Sequence, residues 1–347
     1  MKYWIITAGI VGLLVSPQAA DAKKRKPNLT GTYDIATLTP LRRPEKYGDK
    51  LYLTEEEAQA IEDAEKQEME ETSRASDPNR SAPPKGGDGS EGASGNVGGY
   101  NTFWIDRGTR AATVNGRFRT SIIHDPANGR TPPFTANGQA RAYERYSRFR
   151  KNEGKAWWLP GPGPYDNPED LTLSDRCLLG FSSTGGPPML PALYNNLHRI
   201  VQTDDYVMIL TEMIHDARIV RMNSEHAPPD VRKWLGDSIG WWEGDTLVVD
   251  TTNFTDRPAL SVASENLHVV ERFTRVDENT LLYSFTVEDP TVWSAPWSGE
   301  FSWPATEDRV FEYACHEGNY AMTSMLRGAR LLEAEAQSGS ADEPAGE

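Results

Sequence analysis

The sequence predicts a mainly β protein, an antiparallel sandwich or barrel with an irregular first half and a few peripheral helices. Three observations carry this. Residues 239–243 and 246–252 are β-formers on either side of Gly244-Asp245, a two-residue turn that suits a tight hairpin. Residues 267–276 and 280–288 flank Asp277-Glu278-Asn279, where Asn279 suits a left-handed backbone. Residues 199–203 and 206–213 flank Asp204-Asp205, so strands recur at about ten-residue spacing, the pattern of a sandwich or barrel.

In chain order, Met1-Lys2 precedes an apolar run from Trp4 to Val15 and then Ala20-Asp21-Ala22. The run is shorter than the roughly 20 residues a membrane span needs, and small residues stand where an exporting peptidase cuts. Residues 1–22 read as a cleavable signal peptide, which places the mature chain in the periplasm or outside the cell. No later run is long enough to span a bilayer, so a soluble mature protein is expected.

Residues 23–80 are expected to hold a strand near Leu29–Leu38, ended by Pro40 and Pro44, and an acidic surface helix. Thr54-Glu55-Glu56-Glu57 has capping-box spacing, and the helix should run to about Glu71 with a thin stripe of Ala58, Ile61, Ala64 and Met69. Residues 81–99 contain seven glycines and two prolines and are expected to be a flexible linker, because they bury too little to offset their ordering entropy. Residues 100–335 form the β-rich core domain, whose first half is full of Gly/Pro turns. Asn167-Pro168 reads as a helix start, and Met322, Met325, Leu326 and Ala329 suit a short terminal helix. Residues 336–347 are expected to be a disordered acidic tail.

The net charge of −15 sits mainly in residues 55–77 and 332–347. The acidity therefore belongs to one helix and one tail, and no basic stripe invites nucleic acid. In an oxidising compartment Cys177 and Cys315 are expected to form a disulfide, two buried thiols being the alternative. Cys315-His316 and the other histidines lack the spacing of a metal site, no phosphate loop or G-x-S-x-G elbow occurs, and no cofactor is implied.

Alternation along residues 267–275 puts Leu267, Val269, Glu271 and Phe273 on one face and His268, Val270, Arg272 and Thr274 on the other. Glu271 should therefore point into the core, where a carboxylate costs several kcal/mol unless paired. That makes it the leading catalytic candidate, with His215 and His268 as acid–base partners. Arg218, Arg272, Trp241 and Trp242 are candidates for substrate binding. A buried Glu–Arg pair that only ties strands together is the other reading of Glu271, and core filling is the other reading of the tryptophans.

Several segments carry a family resemblance. They include GYNTFWIDRG (99–108), DPANGRTPPFT (125–135), WLPGPGPYDNPEDLTLSDRC (158–177), WLGDSIGWWEGDTLVVDTTNF (234–254), LHVVERF (267–273) and YACHEGN (313–319). Together they resemble a widespread family of uncharacterised exported bacterial proteins, over nearly all of residues 28–330. No activity is assigned to that family, so it lends no catalytic residues. It implies a lipocalin-like barrel in the second half. Three functions follow as expectations: a hydrolase, lyase or isomerase acting on a small cyclic or glycosidic compound in a barrel pocket; a lipocalin-like carrier of a small ligand; or an envelope structural or assembly protein.

Overall fold

The computed structural model describes residues 26–72, 105–146 and 167–341. The expected signal peptide, the 81–99 linker, Trp104, Trp157, Trp158 and residues 342–347 lie outside the described residues.

The second half of the chain closes into a barrel, and the strand that completes it comes from the chain's start. That strand, β1, spans Gly31–Asp34. Three short strands follow: β2 (Thr113–Val114), β3 (Arg117–Phe118) and β4 (Ile123–Asp125). The barrel strands are then β5 (Leu197–Gln202), β6 (Tyr206–Thr211), β7 (Ala217–Met222), β8 (Asp237–Glu243), β9 (Thr246–Thr252), β10 (His268–Asp277), β11 (Thr280–Glu288) and β12 (Trp297–Thr306). Around the ring the order is β1-β5-β6-β7-β8-β9-β10-β11-β12 and back to β1, with β4 added along β12.

The ring has nine members, and an odd ring cannot alternate strand direction all the way round. One neighbouring pair must run parallel, and it is β7 with β8 (Val220 opposite Ser238). The expected purely antiparallel barrel is corrected at this junction. A two-residue turn cannot join parallel neighbours, so residues 223–236 cross over between them.

Two barrel strands escape a sequence reading. In β12 Trp297, Phe301 and Trp303 face inward at alternating positions, a pattern masked by Gly299 and Pro304. In β7 the polarity is inverted: Arg218 is buried while Ile219 is about half exposed.

Helix α1 (Glu55–Thr72) starts as its capping box dictates. The Thr54 N–H donates to a Glu57 carboxylate oxygen at 2.7 Å, and the Glu57 N–H donates to Thr54 Oγ1 at 3.2 Å. Its stripe packs Ala58 and Ile61 with Leu53 and Ala111 in a small core of their own. Helix α2 (Ala136–Tyr146) lies outside the barrel, with Arg141 donating to the carbonyls of Asp256, Val262 and Ala263. The expected start at Asn167-Pro168 is a single 3-10 turn. After the barrel, α3 (Cys315–Gly318) leads into α4 (Tyr320–Ala341). That helix is longer than expected and continues six residues into the stretch expected to lack structure. No helix among the described residues is long and apolar enough to cross a membrane.

Aromatic side chains fill the barrel. Tyr283 and Trp303 lie 4.5 Å apart between ring centres, Phe273 and Tyr283 5.1 Å, and Phe301 meets Tyr283 edge-on. These rings are essentially inaccessible to solvent, so at their level the interior is packed core.

Candidate functional site

Glu271 points inward, fully buried, as its strand's alternation requires. The inverted strand β7 supplies its partner. Arg218 grips the carboxylate with both terminal nitrogens, Nη1 on Oε2 and Nη2 on Oε1, the latter at 2.9 Å. Tyr283 donates its hydroxyl to Oε1 at 2.7 Å and accepts the Met189 N–H at 2.9 Å. Burial works against the Arg218 charge, but the Glu271 carboxylate overrides it and holds the guanidinium above its ordinary value. Burial, reinforced by the Glu271 charge, pushes the Tyr283 hydroxyl well up. The result is a two-point fork clamping β7 to β10 and β11, with Arg218 Nε alone left buried without a hydrogen-bond partner.

The other sequence candidates do not meet Glu271. His268 and Arg272 are on the outer wall, as their alternate positions demand. Arg272 pairs with Glu243 at 2.7 Å, and the Trp241 indole N–H donates to the same carboxylate at 3.1 Å. Trp242 is half-buried against the edge of the core. His215 is exposed in the tight connection between β6 and β7.

On the outer wall His268 joins a network that fastens the parallel junction. Its Nε2 lies 2.9 Å from Asp250 Oδ2, and His226 Nε2 lies 2.9 Å from Asp250 Oδ1. Asp237, almost fully buried, meets Arg221, Lys233, the Ala227 N–H and the second nitrogen of His226. Burial would raise Asp237, but Lys233, the Ala227 N–H and His226 bring it down to about 2. The Asp250 hydrogen bond raises His268, while Asp250, despite its burial, is lowered by the two imidazoles.

The sign of each shift sets a pH window. The His268 contribution is complete below the ordinary imidazole value and fades as pH rises through its raised value. The Asp250 contribution is complete above the ordinary carboxylate value and fades as pH falls. Asp250→Asn should therefore cost most between about pH 4 and 6.5, by about 1 kcal/mol or less because His268 is about a third exposed and the pair is screened by solvent. Urea unfolding across pH checks this; a loss that does not vary with pH contradicts it.

The features that accompany acid–base sites coincide elsewhere, where the segment 177–190 meets the β6–β7 connection. Four non-glycine residues there have left-handed backbones: Cys177 (φ 56°), Ser183 (66°), Ile214 (55°) and His215 (47°). For the β-branched Ile214 this is a strained state, held by surrounding packing. Asp216, next in the chain, is buried and accepts the Gly180 N–H at 2.9 Å. Burial raises its carboxyl to about 6, against the lowering influence of that N–H and of His215. Gly185 is required by contact, since a Cβ there would stand 2.5 Å from Asp216 Oδ2. Thr184 Oγ1 is buried without a hydrogen-bond partner. His198, fully buried on β5, places its ring nitrogens by the carbonyls of Thr184 and Asn196; burial lowers it to about 4.

A disulfide between Cys177 and Cys315 (Cα–Cα 5.7 Å) ties this segment to the end of the chain. Phe311 strengthens the tie by donating its N–H to Glu212 Oε1 at 2.8 Å. A separate polar groove of about 650 Å³, lined in part by Tyr33, Arg199, Arg275 and Asn279, includes none of the sequence-selected site residues. Among the described residues no group of three His, Cys, Asp or Glu side chains is arranged to hold a metal ion.

Sequence reasoning places Asp216 beside His215 after a strand but assigns it no role, and it misses His198. The one available signal is that His215-Asp216 follows a strand directly, which draws attention to His215 and leaves the buried carboxylate unread. No family model, curated protein or solved structure matches the chain.

Proposed function

We propose that the chain is an exported enzyme of hydrolase, lyase or isomerase type. Its acid–base centre is Asp216, with His215 beside it at the solvent edge, and its substrate is a small cyclic or glycosidic compound. The observation that carries this is a buried carboxyl raised to about 6, set in a strained connection. Such a group holds or releases a proton near neutral pH, as general acid–base chemistry requires. Leu178 and Phe181, which bracket Gly180 in sequence and are each more than a third exposed, offer apolar surface for a ring. Glu271 becomes a structural residue, because Arg218 and Tyr283 occupy its oxygens. The carrier reading loses weight because the interior around Glu271 is filled. The exported setting rests on the leader-like first 22 residues, on the family resemblance and on the disulfide, which suits an oxidising compartment.

Asp216→Asn tests the proposal with two readouts. With the folded carboxyl near 6 and the ordinary value at 3.8, stability is complete below about pH 4 and falls as pH rises through 6. Removing the charge should then stabilise the protein at pH 7 by about 2–3 kcal/mol. In the same variant, turnover found by screening 4-nitrophenyl glycosides and small lactones should fall by about a hundredfold or more. A variant that gains stability but retains full turnover would remove Asp216 from the chemistry.

A further inference from the structure

The polar groove of about 650 Å³ opens where the ring closes. Strands β1 and β12 pair only at Thr32–Thr306 and Tyr33–Ala305. Beyond Thr306 that ladder stops, and residues 305–310 line the groove together with Thr30 to Tyr33, Arg199 of β5 and the β10–β11 turn. A concave space of this volume is of the size that takes a small ligand.

Its charges are the informative feature. Arg199, Arg275 and Arg309 line it beside Glu278, Glu307 and Asp308. Both signs share one groove, yet among the described residues none of these side chains is in an ion pair. Two of the arginines are held by neutral groups instead. Arg275 donates from Nε to the Asn28 carbonyl at 2.9 Å, from Nη1 to the Glu278 carbonyl at 2.8 Å and from Nη2 to Tyr33 Oη at 2.5 Å. Arg199 Nη1 donates to Thr32 Oγ1 at 2.9 Å, and its Nε and Nη2 meet no acceptor among the described residues. Burial raises the Tyr33 hydroxyl and both guanidinium charges act against it, so both stand near one point. Gly31 leaves that hydroxyl room, since a Cβ there would stand 3.0 Å from it. On the acidic side, Asp308 accepts from Thr306 Oγ1 at 2.7 Å, while the Glu278 and Glu307 carboxylates accept no hydrogen bond among the described residues.

Isolated surface charges are ordinarily satisfied by water. Here two cations are fixed in place by neutral acceptors, so an arriving anion costs little further ordering. The open Nε and Nη2 of Arg199 are the pair of donors that grips a carboxylate at two points. A simple anion would be repelled by the carboxylates and a simple cation by the arginines, whereas a ligand carrying both charges apart suits the whole lining.

We infer that the groove binds a short peptide with both termini free, its terminal carboxylate on Arg199 beside Arg275 and its terminal ammonium among Glu278, Glu307 and Asp308. The contacts are to the termini, so side-chain identity matters little. The groove shares no lining residue with the Asp216 centre and is independent of the chemistry proposed there.

Equilibrium dialysis of the full chain against labelled trialanine, at neutral pH and low ionic strength, tests this. The expected result is one saturable site per chain. Unlabelled trialanine should compete fully, and N-acetyl-trialanine and trialanine amide should each compete about tenfold or more weakly, since each lacks one charge. Arg199→Met should weaken binding to a similar degree, and Arg130→Met, elsewhere on the surface, should leave it intact. The comparison of free and blocked peptides decides the matter even if a variant fails to fold. No saturable site, equal competition by either blocked peptide, or equal binding by folded Arg199→Met would each overturn the inference.

Discussion

Replacing Glu271 by Gln should destabilise the protein by about 3–5 kcal/mol, among the largest effects of any single substitution in the barrel. The amide keeps the shape of the carboxylate but removes the charge that compensates a fully buried Arg218, and stranding such a charge carries a cost of this size. Removing both charges together should be far milder. Arg218→Met combined with Glu271→Leu leaves apolar groups among apolar neighbours and strands only the Tyr283 hydroxyl, so at least half of the single-variant loss should return. Urea midpoints of the two single variants and the double variant complete the cycle. If Glu271→Gln costs less than about 1 kcal/mol, the clamp does not hold β7 to β10 as described.

Loss of the Cys177–Cys315 disulfide should have a comparable effect. The two residues are separated by 138 positions, and the chain-entropy relation for a loop of that size gives roughly 5 kcal/mol as an upper figure. Cys177 precedes β5 and Cys315 follows β12, so the bond closes all eight consecutive barrel strands into one covalent loop. It also anchors the segment that carries Gly180 and Thr184 over Asp216. Cys177→Ala/Cys315→Ala should lower the urea midpoint and, because the strained segment loses its tie, reduce the turnover proposed for Asp216 as well. A double variant with unchanged midpoint would show that the loop is already confined without the bond.

Much of this architecture is legible in local sequence rules, and the reasons are specific. The alternation of β10 and the Gly244-Asp245 hairpin follow from a period of two and from turn chemistry, and both recur in the structure. The Thr54–Glu57 cap is a four-residue property and needs no tertiary information. Burial of Glu271 follows from its strand alone, and the need for a partner follows from burial. What local rules do not reveal is the partner's identity. Arg218 shares its inward face with the apolar Val220 while Ile219 between them faces out, so composition does not mark the arginine as inward, and only the closed ring brings it opposite Glu271. Asp216 is unreadable for the same reason: its environment is assembled from Gly180, Thr184 and Gly185, some thirty residues earlier in the chain.

The closure of the barrel sets a timetable for synthesis. Strand β1 lies early in the chain, yet its neighbours are β5 and β12: Thr32 pairs with Arg199 on one side and with Thr306 on the other. Until β12 is in place, β1 can pair only with β5, and the forming barrel is an open sheet with two unpaired edges, one on β1 and one on the last strand added. Such edges pair readily with other chains, and contacts this distant in sequence form slowly. The seam between β1 and β12 therefore closes the ring last, and the barrel is most vulnerable just before those two strands meet.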